Sequence, residues 1–199
     1  DNFLFNFKNG GILRDSHQNI FKSKINKLLK SKTDIVLTSG AVSAGKFDYI
    51  PSIIKKFKLS HYFKSVMIRP GKPILFAKIN QKVIFGLPGN PISSAACFRF
   101  FVYPFMENIL GMSPEKPLKA ILKNSFIKKK EFTRFIKSKL STTKNGKLQV
   151  ELLPGQESFR INSFTKSNVW ALLPDGKNIF KKGQIIDCFL PNQSNKTLT

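Results

Sequence analysis

A chain of 199 residues can hold one substantial core or two small ones, and its 41% hydrophobic content excludes wholesale disorder. No apolar run reaches the ~18 residues of a membrane span, and the longest are broken by Lys, Gly or Pro. A formal net charge of +23, from 34 Lys and Arg against 11 Asp and Glu, points to anionic partners.

The lysines are scattered rather than gathered into a block, so nucleic acid is not the expected partner; the same field would draw in a small phosphorylated ligand. The chain opens Asp1-Asn2-Phe3-Leu4, without an initiator Met or a basic leader, and an interior piece of a longer protein is expected. Cys97 and Cys188 lie far apart with no metal-ligand or redox-motif partner, which reads as reduced, buried thiols in a cytoplasmic protein.

After the breaker Asn9-Gly10-Gly11, Ile20, Phe21, Ile25, Leu28 and Leu29 recur at helical spacing and predict a helix over 16–30, with Asp15 at its N-cap. The β-branched run 34–38 predicts a buried strand that ends in a loop of small residues. A second helix is predicted over 49–58 and a strand over 62–68. Arg69-Pro70-Gly71-Lys72-Pro73 cannot be regular structure. Strands follow over 74–79 and 82–85, joined by the tight turn Asn80-Gln81. After the loop Gly86-Leu87-Pro88-Gly89-Asn90-Pro91 a long helix is predicted over 91–110, stopped by Gly111. This alternation predicts an α/β layered domain with a mostly parallel sheet over residues 1–111.

Residues 112–117 form a polar, Pro-rich linker, expected to be the first site of proteolysis. Beyond it the pattern changes. β-rich runs at 118–127, 132–140, 148–153, 159–164, 169–173 and 185–190 are separated by turn signals such as Asn145-Gly146 and Asp175-Gly176. They predict a small all-β barrel or sandwich over 118–199.

Four loops carry candidate chemistry. In Thr38-Ser39-Gly40-Ala41-Val42-Ser43-Ala44-Gly45-Lys46-Phe47-Asp48-Tyr49, small residues admit a ligand close to the backbone, and amides and hydroxyls can donate to phosphate oxygens. Asp48 is either the N-cap of the next helix or a hard oxygen ligand for Mg²⁺. Arg69-Pro70-Gly71-Lys72-Pro73 is a rigid loop with two cations, read as an anion site or as a structural turn. In the third loop Asn90 is a favoured N-cap and Pro91 a favoured first helical residue. The free amides of the following turn, with Ser93 and Ser94, offer an anion site, or the loop only caps the helix. In Arg14-Asp15-Ser16-His17, Asp15 is an N-cap or a second carboxylate for the metal. His17 and His61 have no partner at ligand spacing, and Trp170 reads as barrel core. No nucleophile–base set is present, so the chemistry suits positioning phosphates and oxyanions with a metal rather than covalent catalysis.

The order of these loops resembles the molybdopterin molybdenumtransferase (MoeA/gephyrin E-domain) family. The first loop resembles T-S-G-G-V-S-x-G-x-x-D-[YF], Arg69-Pro70-Gly71-Lys72-Pro73 resembles [KR]-P-G-K-P, and Phe85 to Ser93 resembles F-G-L-P-G-N-P-V-S. Gly11-Ile12-Leu13-Arg14-Asp15 and Glu131-Phe132-Thr133-Arg134 resemble further landmarks upstream and downstream. The resemblance implies a MogA-like molybdopterin-binding fold followed by a β-barrel. It implies Mg²⁺-dependent insertion of molybdate into adenylylated molybdopterin with release of AMP, by a homodimer. It makes Asp15 and Asp48 the acidic, metal-holding and catalytic residues, and Arg69 and Lys72 the catalytic cations. It places the pterin phosphate and nucleotide along Thr38, Ser39, Gly40, Ser43 and Gly45 and along Gly86, Pro88, Gly89, Asn90, Pro91 and Ser93, and implies Pro70 and Gly71 as cofactor-binding residues as well. Ala41 stands in place of the second glycine, Lys46 where an acidic residue is frequent, and Ser65 where a cation is frequent. Full-length relatives carry an N-terminal region and an opening strand, both expected to be missing from this chain. Two other readings stay open: a non-catalytic molybdopterin- or molybdate-binding module, and a basic nucleic-acid-binding protein.

Overall fold

A computed structural model describes residues 6–13, 18–40, 50–157 and 159–191. The first part holds α1 (Gln18–Lys30), β1 (Ile35–Ser39), α2 (Ile50–Ile54), β2 (Leu59–Phe63), β3 (Ile68–Arg69), β4 (Leu75–Ile79) and β5 (Lys82–Leu87). A helical run follows: α3 (Pro91–Cys97), a π-helical segment (Phe98–Val102) and α4 (Tyr103–Ile109).

Strand alternation sorts the side chains of β4 and β5 onto two faces of one sheet. Leu75, Ala77, Ile79 and Ile84 pack with Phe21 and Ile25 of α1 and Ile50, Ile53 and Ile54 of α2. Val83, Phe85 and Leu87 face the other way, onto Ile92, Ala96, Val102 and Met106 of the long helical run. The result is a layered α/β arrangement.

The sheet order is β1-β5-β4-β2. β1 runs parallel to β5, while β4–β5 and β2–β4 are antiparallel. Among the described residues the sheet is therefore mixed, not mostly parallel. The reason is the predicted turn itself: Asn80, at φ 55°, reverses the chain so tightly that β5 must return beside β4.

Three helix and strand expectations change in extent. α2 stops at Ile54 rather than continuing to residue 58, because the amides of Lys56 and Phe57 reach back only three residues, to Ile53 and Ile54. The strand predicted over 62–68 is divided: β2 ends at Phe63, and β3 joins a different sheet. The single helix predicted over 91–110 contains a π-helical turn. Pro104 has no amide to donate, and the Tyr103 amide reaches five residues back to the Phe98 carbonyl. Gly111, at φ +69°, then closes the run: its amide bonds Asn108 O, and that of Met112 bonds Glu107 O.

The second part comprises β6 (Leu118–Leu122), β7 (Phe126–Ile127), β8 (Thr133–Thr142), β9 (Leu148–Leu152), α5 (Ile161–Thr165), β10 (Val169–Leu173), β11 (Ile179–Phe180) and β12 (Ile185–Phe189). The order β10-β12-β6-β9-β8, with β8 returning to β10, closes a barrel. Ala120, Leu122, Ile136, Val150, Leu152, Val169, Ala171 and Leu173 belong to the core it encloses. β7 and β11 form a separate two-stranded ribbon. The strand predicted over 159–164 is absent, and α5 stands there instead. Phe159 and Ile161 are exposed, so their alternation marks no buried face.

The barrel mounts on the α/β layer through its outer face. β3 pairs in parallel with the start of β8. Phe100 stacks on Phe135 with ring centroids 3.8 Å apart and meets Trp170 edge-on at 6.1 Å. Trp170 thus packs at the seam between the two parts rather than in the barrel's own core. The linker is pinned there as well: Arg99 and Glu115 form an ion pair at 2.6 Å with both side chains less than a tenth exposed. A linker held in this way is a poorer first target for a protease than the sequence suggests.

Candidate functional site

β1 and β5 lie side by side and parallel, so their ends deliver the first and third loops to the same edge of the sheet. Thr38 sits in the ladder opposite Gly86, its hydroxyl 3.5 Å from Phe85 O. Gly40 continues the ladder beyond the strand, its amide 3.0 Å from Leu87 O, at a φ of +83° that favours glycine. Gly89 approaches Gly40 so closely that a Cβ on Gly89 would stand 3.5 Å from the Gly40 Cα.

Asn90 behaves as the sequence predicts. Its Oδ1 accepts from the amides of Ile92 and Ser93, both at 3.1 Å, and Pro91 opens the helix. The Ser94 amide bonds the Asn90 carbonyl at 2.8 Å. These amides, which the sequence offers to an anion, are therefore already satisfied by Asn90. Replacing Asn90 with Ala is expected to lower the unfolding free energy by about 1 kcal/mol, while Asn90→Asp retains it. Urea unfolding of both variants checks this, and equal losses would remove the cap as the cause.

The two loops open onto a cleft of about 490 Å³. Ser39, Gly89, Pro91, Ser94, Phe98 and Arg99 line it from the α/β side, and Phe164, Trp170 and Pro191 from the barrel side. The barrel-side wall is thus aromatic, and the opposite rim carries the Ser39 and Ser94 hydroxyls, Gly89 and the Arg99 cation beside Phe98. Gly86, Pro88 and Ser93 are buried and do not line the cleft.

The second loop stands elsewhere, between α3 and the barrel. Gly71 has φ +104° and is buried; a Cβ there would come within 2.5 Å of the Cys97 sulfur. The Arg69–Pro70 peptide is cis. Arg69 lies over the Phe132 ring at 4.6 Å, and Lys72 approaches the same ring at 5.8 Å. Arg69 is also the register partner of Arg134 across β3 and β8. Burial pushes the Arg134 guanidinium below its ordinary pKa, and the neighbouring Arg69 charge pushes it further. The Arg134 Nε is buried with no hydrogen-bond partner. Among the described residues no carboxylate forms an ion pair with Arg69, Lys72 or Arg134. Sequence reasoning misses Arg134 as a site residue, although its signal is present in Glu131-Phe132-Thr133-Arg134.

Asp15, Ser43, Gly45 and Asp48 lie outside the described residues. Among the described residues, no group of three or more His, Cys, Asp or Glu could hold a metal ion. Burial pushes the Cys97 thiol up to about 12, and burial with the nearby Asp187 charge does the same to Cys188, so neither is a ready nucleophile. No helix among the described residues is long and apolar enough to cross a membrane.

Residues 4–108 match the family model described as "Probable molybdopterin binding domain", and residues 119–190 match "MoeA C-terminal region (domain IV)". A protein of Staphylococcus epidermidis named molybdopterin molybdenumtransferase is 33% identical over 190 residues, covering 93% of this chain and 45% of the relative. A Staphylococcus aureus protein of the same name is 36% identical over 163 residues, covering 80% of this chain and 38% of the relative. The chain spans less than half the length of these curated relatives. The fold is shared with the molybdopterin biosynthesis MoeA protein of Pyrococcus horikoshii, at 23% identity and a TM-score of 0.67 over 91% of this chain and 41% of that one. It is also shared with a molybdenum cofactor biosynthesis protein of Pyrococcus furiosus, at 19% identity and a TM-score of 0.64 over 88% and 55% of the two chains. The second match takes in the barrel, and the first takes in the α/β layer and more than half of the residues, so the chain belongs to the family of the probable molybdopterin binding domain.

Proposed function

We propose that this chain is the molybdopterin-binding and C-terminal part of a molybdopterin molybdenumtransferase, which inserts molybdate into adenylylated molybdopterin and releases AMP. The observation that carries the reading is the close approach of Gly40 to Gly89 at the edge of a cleft that Gly89, Ser39 and Ser94 line. That arrangement supports a phosphorylated ligand lying close to the backbone. Thr38, Ser39, Gly40, Ser43 and Gly45 take the phosphates from one side, while Gly89 and Pro91 line the other, Asn90 caps the helix behind them, and Gly86, Pro88 and Ser93 shape the third loop from below.

The β3–β8 seam supports the second substrate. Molybdate is a tetrahedral dianion, and Arg69, Lys72 and Arg134 offer it cations that form no ion pair among the described residues, although the Glu157 charge lies near enough to Arg134 to favour its charged form. Pro70 and Gly71 hold that loop rigid. A catalytic role for Asp15 and Asp48, and Mg²⁺ as the ion they hold, rest on the motifs alone. The homodimer, the cytoplasmic location and the division into residues 1–111 and 118–199 belong to the same proposal.

The test is molybdate-dependent AMP release by the protein expressed from its complete reading frame, with Asp48→Asn beside the natural residue. Asn caps a helix as well as Asp does, so a capping role predicts unchanged melting and unchanged turnover. A carboxylate needed for hard-cation chemistry predicts unchanged melting with turnover down about tenfold or more. Molybdopterin binding without any turnover in the unsubstituted protein points instead to a non-catalytic binding module.

A further inference from the structure

Neither the cleft nor the cation seam accounts for Lys137. This residue of β8 is only 2% exposed. Burying an ammonium is costly unless its protons find acceptors. Here one loop supplies them all: the Lys137 Nζ donates to Gly155 O at 2.8 Å and to Glu157 O and Arg160 O, both at 3.2 Å. The backbone of the same residue grips the same loop. Gln156 Oε1 accepts from the Lys137 amide at 3.0 Å, and Gln156 Nε2 donates to the Lys137 carbonyl at 2.9 Å.

This clamp reaches the cleft by a short route. Arg160 immediately precedes α5, and the Ser163 hydroxyl bonds the Gly155 and Arg160 carbonyls at 2.6 and 2.9 Å. α5 carries Phe164, whose ring stands 5.7 Å from that of Trp170. Phe164 and Trp170 make the barrel-side wall of the cleft. Trp170 is moreover the register partner of Lys137 across β8 and β10. One residue is therefore paired through its backbone with the strand that carries Trp170 and holds, through its side chain, the loop that leads into α5.

We propose that Lys137 is a positioning residue, which clamps the 155–160 loop and so holds Phe164 against Trp170 as the wall on which the ligand of the cleft packs. This rests on the cleft being the adenylylated-molybdopterin site. An aromatic wall suits the flat heterocycles of such a ligand, and Lys137 itself touches none of it.

Trp170 is the one tryptophan in the 199 residues, so its fluorescence reports directly on the wall. The test compares the chain with Lys137→Met, which keeps a long side chain but removes the donors. Acrylamide quenching of Trp170 and the dissociation constant for adenylylated molybdopterin are measured together. The expected result is a folded variant whose Trp170 is more readily quenched and whose affinity is about tenfold weaker. Natural quenching and natural affinity in a folded variant overturn the proposal, and so does altered quenching with natural affinity. If the unsubstituted chain does not bind adenylylated molybdopterin, the assignment of the cleft fails and the positioning role fails with it, whereas the clamp is still scored by quenching alone. Should Lys137→Met not fold, Lys137→Gln, which keeps a neutral donor, is measured in the same way, and natural values there overturn the proposal.

Discussion

Replacing Glu115 with Ala is expected to cost about 3–5 kcal/mol of stability, the range for removing one partner of a buried ion pair. The Arg99 and Glu115 side chains are 5% and 7% exposed. Arg99 Nη2 donates to both carboxylate oxygens, at 2.8 and 2.6 Å, while its Nε donates to Leu190 O at 2.7 Å. Its guanidinium lies over the rings of Phe100, Tyr103 and Phe189 at 5.4–5.8 Å. Without Glu115 that cation stays buried and loses this bidentate carboxylate. Because a domain has only about 5–15 kcal/mol in total, the loss is large. It is also located. Arg99 belongs to the π-helical segment, Glu115 to the linker, and Leu190 directly follows β12, so the pair and the Leu190 bond join the helical run to the first and last barrel strands. The double variant Arg99→Met/Glu115→Ala should recover much of the loss, since an apolar pair replaces a buried ionic one at little cost. Urea unfolding of the single and double variants decides the matter. A double variant no better than Glu115→Ala would show that charge burial is not the cause. Limited proteolysis adds a structural readout: cleavage within 112–117 should appear early only in Glu115→Ala.

The features legible in the sequence are those fixed by a few adjacent residues. Asn80-Gln81 announces its hairpin, Asn90-Pro91 its cap and Gly111 its helix stop, and each stands where expected. The convergence of the first and third loops is legible at one remove, because both follow strands that feed helices. What stays hidden depends on partners far along the chain. The strand pattern at 159–164 is overridden by the bonds from Lys137 to the preceding loop, made across about twenty residues. The π-helical turn is foreshadowed by Pro104, but its place within a long apolar run disguises it. Lys128 and Lys137 look like solvated charges in a lysine-rich sequence, yet they are 6% and 2% exposed. Trp170 takes its role from Phe100, seventy positions away in the chain. Arg134 is one cation among 34 until β3 lays Arg69 beside it.

Arg134 therefore gives the sharpest expectation for the activity. Its Nε is buried without a partner, and Arg69 stands opposite it. Its pKa is lowered on folding, by burial first and by the Arg69 charge second. A lowered folded-state pKa means the unfolded chain holds that proton more tightly. At every pH below both values the charged form thus destabilises the fold, and relief comes only as pH rises through the folded value. Arg134→Met removes that penalty, so its melting temperature should be equal to or higher than that of the natural protein. Stability retained at such a cost is what a functional site looks like. If Arg134 and Arg69 hold an oxyanion during molybdate insertion, Arg134→Met should lower molybdate-dependent AMP release about a hundredfold, the scale of losing one charge-stabilising donor. The loss should be greatest at low molybdate, and Arg134→Lys should recover only part of it, because an ammonium lacks the planar fork of donors. A structural role for Arg134 makes the opposite forecast: melting falls, and activity declines only in step with the folded fraction. Melting and AMP release measured on the same preparations, from the complete reading frame, separate the two. Natural turnover in a fully folded Arg134→Met would end the assignment of the seam to molybdate.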